Sequence, residues 1–415
     1  MIIKFNENKP FIEDVNLENI YKSQHTPFYV YSQKKISDTY NLLKKNLKSE
    51  IFFAIKANSN QAILRLMKNL GSGADVVSIG ELTRALKAGF NPNSIILEGV
   101  GKSKEDIEYA VKEKIRLINV ESISELQLIK SISEELSEKI NIGIRINPDI
   151  NGQTLEKIST GKKTDKFGIA INELTKIISI IKECPNINLK SVSCHVGSQI
   201  TNLSIFEKIF KTMKEVVTKI IVSGIDIEYL DLGGGLGIDY KEGDKELDIV
   251  NLGKLVNNIF SEVNYKISFE PGRYLIAKAG IIITKILITK KNGGINYLIT
   301  DAGMHTIIRP ALYNEYHKIV SLNSNGKKNE EKEVYTIAGP ICESSDILAK
   351  NIYLPIQKIE NYLAICDAGA YGFVMASNYN SRGLPDEILI NQNQYCIINK
   401  KEKINDLIKK EKIPN

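Results

Sequence analysis

A repeating unit, in which a short apolar run is followed by a stretch with helical periodicity, most strongly limits the fold of this chain. The apolar runs are Ile51–Ile55, Ala74–Val77, Ile95–Leu97, Arg116–Val120, Ile142–Ile146, Ser191–His195, Glu228–Leu232 and Ile267–Glu270. Strands that alternate with helices are joined by crossovers and lie parallel in one sheet. About eight such units are what a closed (β/α)8 barrel requires.

The amphipathic segments between the runs support this interpretation. Several begin at a capping residue, such as Ser103 and Ser122, and several end at a glycine, such as Gly71 and Gly89. A doubly wound open sheet is the alternative, but its glycine-rich fingerprint is expected directly after the first strand. Here the first strand ends in Lys56. We therefore predict the barrel.

The sequence changes character after the eighth run. β-branched runs follow one another, separated by Gly, Asn and Pro, and this pattern is typical of an all-β domain. We predict three parts: an N-terminal segment, 1–31, that joins the β domain through the run Phe28–Tyr31; a barrel, 32–273; and a C-terminal β domain, 274–415.

Two further segments carry expectations about the barrel. The pattern of Ser32–Lys48 predicts a helix that fills the place of the missing eighth barrel helix. The segment Asn147–Gly168 is rich in Gly, Lys and Thr and is long for a barrel loop, so we expect a mobile lid there.

Composition excludes several classes of protein. Apolar residues are 43% and charged residues 25%, which is the usage of an ordered globular protein. The net charge of +6 is too small and too dispersed for a nucleic-acid-binding protein. No apolar stretch is long enough to span a bilayer, and the N-terminus lacks the apolar core of a signal peptide. Five cysteines without a CxxC pair predict reduced thiols in a cytoplasmic protein, and no cluster has the spacing of a metal site.

Active sites of such barrels form where the strands end, and two strand ends carry reactive side chains. Lys56 follows a buried apolar strand, and burial lowers the pKa of an ammonium group and makes it a nucleophile toward carbonyls. The alternative is a lysine whose amine reaches the rim. His195 ends the sixth run, and its alternative is a structural histidine.

The last two strand ends add an anion site and a carboxylate. The run DLGGGLG supplies backbone amides at the position where barrels commonly hold phosphate, although tight turns also need glycine. The run FEPGR presents Glu270 and Arg273, which would pair either with a protonated ring nitrogen or with each other. A lysine, a histidine, a phosphate cradle and a carboxylate at one barrel mouth are what pyridoxal phosphate requires.

Six motifs, in this order along the chain, resemble those of the fold-type III pyridoxal-phosphate decarboxylases, the family that acts on ornithine, diaminopimelate and arginine. They are FFAIKAN, CHVGSQ, DLGGGLG, EPGR, GPICESSD and DAGAYG, with DAGMHTIIRPALY between the last barrel motif and the cysteine motif. The likeness extends from about Phe28 to Pro385. It implies an alanine racemase-like fold, a pyridoxal 5'-phosphate cofactor and a homodimer with shared active sites.

The resemblance also implies roles for individual residues. Lys56 is then the Schiff-base lysine, and His195 stacks on the cofactor ring. Glu270 pairs with the pyridinium nitrogen, which keeps the ring a strong electron sink and argues against a racemase, where an arginine stands. The phosphate contacts implied are Ser198, Gly235, Gly272, Arg273 and the hydroxyl of Tyr371.

The same resemblance implies the substrate. Arg273, Arg309, Tyr313, Glu343 and Tyr371 match the substrate contacts of the family. An arginine fork suits a distal carboxylate and Glu343 suits a distal amine, so the implied reaction is decarboxylation of meso-2,6-diaminopimelate to L-lysine in bacterial-type lysine biosynthesis. Arg309 has the alternative of a surface ion pair.

Cys342 resembles the proton donor of the family, supplied together with Glu343 across a dimer interface. Lys56 is the alternative donor, and a buried structural thiol is the alternative reading of Cys342. The other cysteines, with His25, His305 and His317, are interpreted as structural.

Two alternative functions, the rivals of this interpretation, and two departures from the family's motifs remain. The rivals are a decarboxylase of another cationic amino acid or of carboxynorspermidine, and a non-catalytic regulatory protein that binds the cofactor. The run GQTLEKISTG lacks the histidine that the family tends to carry before ISTG, and Ile79 stands where glycine is common. The first departure puts lid contacts to the substrate in doubt, and the second concerns local packing.

Overall fold

The computed structural model describes residues 2–152, 160–161, 164–323 and 331–414. The chain divides into two compact units. One, the barrel unit, comprises residues 39–238 and 245–274. The other, the sheet unit, comprises residues 1–38, 239–244 and 275–415.

The predicted closed parallel barrel is confirmed. Within the described residues its eight strands are Glu50–Ala54, Gly73–Val76, Ile95–Leu97, Leu117–Val120, Ile140–Asn147, Ile187–Ser193, Tyr229–Asp231 and Lys266–Phe269. They pair in chain order, and the ring closes where Ser268 and Phe269 of the eighth strand pair with Glu50 and Ile51 of the first. Closure leaves no sheet edge, so the carboxyl ends of all eight strands meet at one rim.

Among the described residues, a helix follows each of the first seven barrel strands, and a further helix precedes the first strand. They are Gln33–Leu47, Gln61–Asn69, Ile79–Ala88, Lys104–Lys112, Ile123–Leu136, Leu174–Lys182, Leu203–Val222 and Ile249–Phe260. The first corresponds to the helix predicted over Ser32–Lys48. A Cβ atom added to Gly253 would overlap the Asn46 backbone, so the helix before the first strand packs closely on the helix before the eighth.

The capping signals act as predicted from sequence. The Ser103 hydroxyl accepts a hydrogen bond from the Asp106 backbone amide, and the Asp106 carboxylate accepts from the Ser103 amide, which is a capping box. Gly89 ends its helix with φ of +89°, in the left-handed region that glycine enters without strain. These local signals fix where the helices begin and end.

The barrel interior changes from apolar to polar along the strands. Side chains alternate across a strand, so residues two apart face the same side. Near the start of the strands Phe52, Ile96 and Leu117 form an apolar cluster, which the Arg116 guanidinium covers at 5.0 Å from the Phe52 ring centre. Two residues after Ile96 and Leu117, the polar side chains Glu98 and Asn119 take their place toward the rim.

In the part of the sheet unit that the structure describes, the strands form a nine-stranded mixed sheet and a small three-stranded sheet. The strands are Lys4–Asn6, Lys9–Ile12, Val15–Asn16, Phe28–Ser32, Gly280–Asn292, Ile295–Thr300, Ile319–Ser321, Lys332–Ala338, Ile347–Pro355, Tyr362–Ile365, Asp386–Asn391 and Gln394–Asn399. Phe28–Ser32 lies between Gly280–Asn292, to which it is antiparallel, and Asp386–Asn391, to which it is parallel. The short helices of this unit are Leu17–Tyr21, Arg309–Tyr313 and Ile404–Ile408, and Arg273–Ile276 begins just before it.

Candidate active site

Lys56 lies directly after the first barrel strand, in a 3-10 helix of one turn, Ile55–Ala57. Its side chain is 42% exposed, and its Nζ lies 3.6 Å from Oδ2 of the fully buried Asp75. The amine is therefore accessible from the rim while its charge is balanced by a carboxylate inside the barrel. The amine therefore reaches the rim, as the alternative interpretation expected, and it lies next to a charged partner that the sequence analysis did not identify.

Asp75 is a site residue that the sequence analysis missed. It lies on the second barrel strand, and burial raises its pKa, an effect that the positive charge of Lys56 opposes. The sequence did carry a signal for Asp75, because it is a carboxylate in an otherwise apolar run, two residues before Val77. Side chains of a barrel strand face the barrel interior and the surrounding helices in turn, so a polar residue in such a run can face the interior.

His195 follows the sixth barrel strand. Its Nδ1 accepts a hydrogen bond of 3.1 Å from the Gly234 backbone amide, which places the proton of the neutral ring on Nε2. Burial, with the positive charges of Lys56 and Arg145, holds the pKa of His195 well below its ordinary value. A neutral aromatic ring held in this way is suited to stacking against a planar ligand.

The glycine loop after the seventh strand is tightly packed by backbone. Gly233 and Gly235 have φ of +70° and +80°, and a Cβ on either would overlap a neighbouring carbonyl oxygen. The Asp231 carboxylate accepts a hydrogen bond of 2.7 Å from the Gly233 amide. Only glycine fits these positions, so the loop presents bare backbone in a fixed shape.

Arg273 and Ser198 meet beside this loop. Nε and Nη2 of the buried Arg273 donate to the Ser198 hydroxyl at 3.3 and 3.2 Å. A Cβ on Gly272 would lie 2.9 Å from the Ala57 Cβ, so the backbone after the eighth strand passes close to the turn that carries Lys56. Backbone, a hydroxyl and a guanidinium together can hold an anion such as phosphate.

Glu270 is buried after the eighth strand, and its Oε1 has no hydrogen-bond partner in the described part of the chain. Burial raises the pKa of Glu270 well above its usual range, and the nearby Asp231 and Asp75 raise it further. A buried polar atom without a partner is costly. A ligand that brings an N–H group to this oxygen would remove the cost.

A ring of polar side chains lies inside the barrel below these residues, and sequence reasoning did not identify it. The Asn119 amide donates to Oε1 of Glu98. Arg145 Nη1 lies 2.7 Å from Oε1 of Glu121, and the second oxygen of Glu121 accepts from the Gly168 amide at 2.9 Å. Burial raises the pKa of Glu98 to about 7. The ring therefore carries more carboxylates than cations.

The segment after the fifth barrel strand is anchored at its far end. The Thr160 hydroxyl donates to the His195 carbonyl at 2.7 Å, and the Thr160 amide donates to Val196. Residues 153–159 and 162–163 lie outside the described residues. Nine of the 22 residues of the expected lid, including the position where the family tends to carry a histidine, fall there, so the lid stays a prediction.

In the sheet unit, Arg309 begins the helix Arg309–Tyr313 and is 1% exposed. Its Nη2 lies 3.4 Å from the Glu315 carboxylate and donates to the Tyr240 hydroxyl at 3.4 Å. Arg309 therefore has an ion-pair partner, as one interpretation expected, but the pair is buried rather than on the surface. A buried guanidinium of this kind needs a counter-charge.

Tyr313 and Tyr371 both belong to the sheet unit and are partly exposed. The Tyr371 ring centre lies 5.9 Å from the Arg309 guanidinium carbon, within the range of a cation–π contact. Tyr371 has φ of +55°, a conformation that non-glycine residues rarely adopt and that is common at functional sites. The structure therefore brings together Arg309 and Tyr371 from the predicted set.

Cys342 and Glu343 are exposed neighbours in the sheet unit. The Cys342 amide donates to Oδ1 of Asn380 at 3.2 Å, and the Tyr379 hydroxyl donates to Glu343. The hydrogen bonds from Tyr379 and Ser345 hold the pKa of Glu343 below its ordinary value. Glu343 is therefore an anion at neutral pH, and Tyr379 and Asn380 are contacts that the sequence did not reveal.

No group of three or more His, Cys, Asp and Glu side chains among the described residues is placed to hold a metal ion. No helix in the same part of the chain is both long and apolar enough to cross a bilayer.

Comparison with known proteins gives consistent matches. The family model described as "Pyridoxal-dependent decarboxylase, pyridoxal binding domain" matches residues 33–277. A diaminopimelate decarboxylase from Aquifex aeolicus is 38% identical over 401 residues, which are 96% of this chain and 95% of that protein.

Solved structures agree with these matches. The crystal structure of diaminopimelate decarboxylase from Helicobacter pylori complexed with L-lysine is 38% identical, with a TM-score of 0.90 over 95% of this chain and 98% of that one. The diaminopimelate decarboxylase from M. jannaschii in co-complex with L-lysine is 37% identical, with a TM-score of 0.94 over 99% and 98% of the two chains.

Proposed function

The chain belongs to the pyridoxal-dependent decarboxylases, and we propose that it converts meso-diaminopimelate to L-lysine and CO2, in lysine biosynthesis. One observation carries the choice of substrate within the family. The guanidinium of Arg309 is almost wholly buried in the sheet unit, which suits recognition of a carboxylate at the far end of the substrate. Substrates without that carboxylate would leave a buried cation with one partner fewer.

The residues of the barrel unit fit pyridoxal 5'-phosphate, the cofactor of the family. Glu270 offers a buried oxygen without a partner, and the glycine loop offers a cradle that a Cβ atom would fill. The residues proposed to hold the cofactor are Lys56, His195, Ser198, Gly235, Glu270, Gly272, Arg273 and Tyr371. When bound, the cofactor supplies an electron sink for the pair of electrons left behind by CO2.

Each residue then has a physical task in the proposal. Lys56 would supply the amine that holds the cofactor, while Asp75 balances its charge. His195 would offer a neutral ring face. A protonated ring nitrogen would be the positive partner that ionises Glu270, whose pKa burial otherwise raises. Because the interior is shielded from water, the charge of Glu270 acts more strongly there than it would in solvent.

Recognition of the substrate's far end is proposed for residues of the sheet unit. Arg309 binds the distal carboxylate with Arg273, Tyr313 and Tyr371 as further contacts, and Glu343 binds the distal ammonium group. The lowered pKa of Glu343 supports this role, because an ionised carboxylate pairs with an amine.

Return of a proton to the substrate carbon is proposed for Cys342, with Lys56 as the alternative donor. Cys342 and Glu343 are exposed in the single chain, which supports their use by a second copy in a homodimer with shared sites. All five cysteines lack a disulfide, in keeping with a cytoplasmic enzyme.

Substrate preference tests the proposal. Purified, cofactor-loaded protein is assayed for CO2 release from meso-diaminopimelate, lysine, ornithine, arginine and carboxynorspermidine at equal concentration. We expect kcat/KM for meso-diaminopimelate to exceed the others by about 10³-fold or more, because an unpaired buried polar group strongly disfavours analogues. Preference for a substrate without a distal carboxylate would refute the role of Arg309. Absence of CO2 release from every substrate, with cofactor bound, would favour a non-catalytic protein.

A further inference from the structure

Arg309 is held by a set of neighbours that the proposed function does not explain. Its Nε donates to Nε2 of His317 at 3.3 Å, and its Nη2 donates to the Tyr240 hydroxyl at 3.4 Å. The Tyr240 and His317 rings meet edge to face, 5.7 Å apart at 78°. His317 is 1% exposed, so this arrangement lies inside the sheet unit.

The tautomer of His317 is determined by a backbone carbonyl. Nδ1 lies 2.9 Å from the Cys366 carbonyl oxygen, which can only accept a hydrogen bond, so Nδ1 carries the proton. Nε2 is then an acceptor, which is what the Arg309 Nε–H requires. A hydrogen on Nε2 instead would bring two donors together.

These contacts fix the orientation of the guanidinium plane. Its Nε–H and Nη2–H bonds lie in that plane, so one acceptor at Nε and others at Nη2 set its rotation. Glu315, 3.4 Å from Nη2, supplies the counter-charge. Nη1 has no hydrogen-bond partner among the residues that the structure describes, which leaves a pair of N–H donors of Arg309 for a ligand.

We infer that His317, together with Tyr240, is a positioning residue that aims Nη1 of Arg309 at the distal carboxylate of the substrate and so sets specificity for it. The inference rests on the proposed function, in which Arg309 reads that carboxylate. Fixing a long side chain before binding lowers the entropy that binding must overcome. The histidine that the sequence analysis interpreted as structural thus acts on selectivity.

Two ligands separate this role from a merely structural one. 2-Aminopimelate carries a distal carboxylate and no distal amine, whereas L-lysine carries a distal amine and no distal carboxylate. Their dissociation constants are measured by calorimetry on cofactor-loaded wild type and on His317→Phe, which keeps a ring against Tyr240 and removes the acceptor. We expect binding of 2-aminopimelate to weaken about tenfold and binding of L-lysine to stay within about twofold.

Matched variants complete the experiment. His317→Gln restores an acceptor and should return the ratio of the two constants toward wild type. His305→Phe replaces another buried histidine of the same unit, 4% exposed and without a contact to Arg309 among the described residues, and should leave the ratio unchanged. Tyr240→Phe removes only a hydroxyl and should shift the ratio in the same direction by a smaller factor.

Three results would overturn the inference. These are an unchanged ratio in His317→Phe, equal weakening of both ligands, and a ratio in His305→Phe that shifts as much as in His317→Phe. If His317→Phe does not fold, an unchanged ratio in Tyr240→Phe overturns it. Failure of the proposed function is distinguishable, because wild-type protein would then release no CO2 from meso-diaminopimelate.

Discussion

The Nζ atom of Lys56 lies 3.6 Å from a carboxylate oxygen of Asp75, which is fully buried inside the barrel. The Lys56 side chain is exposed at the rim, whereas the Asp75 carboxylate that balances its charge is buried. The role proposed for Asp75 is therefore to balance the charge of the Lys56 amine.

Replacement of this counter-charge should slow exchange between Lys56 and the substrate amine. We expect Asp75→Asn to lower kcat about 10²-fold while cofactor content stays near that of wild type. The matched control is Glu125→Gln, which removes the carboxylate 2.7 Å from the buried Lys102 elsewhere on the barrel. Steady-state kinetics and cofactor absorbance check both variants. An equal loss of kcat in the control would show that any buried ion pair has this effect.

Lys56→Ala should abolish activity and leave the barrel folded, because the side chain is 42% exposed. Borohydride reduction of wild-type protein followed by peptide mapping should place the cofactor adduct on Lys56. Circular dichroism and the Tm of the variant check the fold. An adduct on another lysine, or turnover by the variant, would contradict the nucleophile assignment.

Glu270→Gln should reduce the rate far more than cofactor binding. The amide keeps the size of the side chain but cannot hold a charged ring nitrogen, so we expect kcat to fall by about 10² to 10³. Cofactor affinity, measured by dialysis and absorbance, should change much less. A parallel loss of affinity and rate would mean that Glu270 serves to grip the cofactor instead.

Stability should depend on pH through Glu98, whose pKa burial raises from 4.5 to about 7. Between pH 4.5 and about 7 the folded protein binds more protons than the unfolded chain. The contribution of Glu98 to stability is therefore present below pH 4.5 and is lost as pH rises through about 7. The free energy of unfolding of cofactor-free wild type minus that of Glu98→Gln should fall with pH, by up to about 1.4 kcal/mol per unit. Denaturant titrations at several pH values measure the difference, and a difference that is constant or rises with pH would contradict the prediction.

Co-expression of Lys56→Ala chains with Cys342→Ala chains tests whether sites are shared. If each site takes Lys56 from one subunit and Cys342 from the other, mixed dimers contain one intact site, and about a quarter of wild-type activity should return. Each variant expressed alone is the control and should be inactive. Mixtures that stay inactive would favour sites built from a single chain.

Much of the barrel could be predicted because its signals are local. Apolar runs, serine caps and glycine ends each depend on a few adjacent residues, and Lys56, His195 and Glu270 were found because each stands just after an apolar run. The polar ring was missed for a physical reason. Asp75, Asn119 and Arg145 lie within the runs, where a polar residue only weakens the strand pattern until the closed sheet gives its side chain an interior to face.

The sheet unit was harder because its pairing is not local. Ile347–Pro355 and Asp386–Asn391 were not identified as strands. They pair with Lys332–Ala338 and Phe28–Ser32, and this pairing exists only in the assembled sheet. The contacts of His317 were likewise hidden. Its two ring nitrogens meet Arg309 and the Cys366 carbonyl, groups that no spacing in the sequence brings together.

The position of Phe28–Ser32 has a consequence for biosynthesis on the ribosome. This segment emerges early, yet both of its sheet neighbours, Gly280–Asn292 and Asp386–Asn391, are translated in the later part of the chain. All barrel strands lie between Phe28–Ser32 and Gly280–Asn292 in the sequence. The barrel can therefore close while Phe28–Ser32 is still unpaired. Until Asp386–Asn391 has been synthesised, the edge of Phe28–Ser32 that this strand covers remains open to pairing with another chain, which exposes the nascent polypeptide to aggregation.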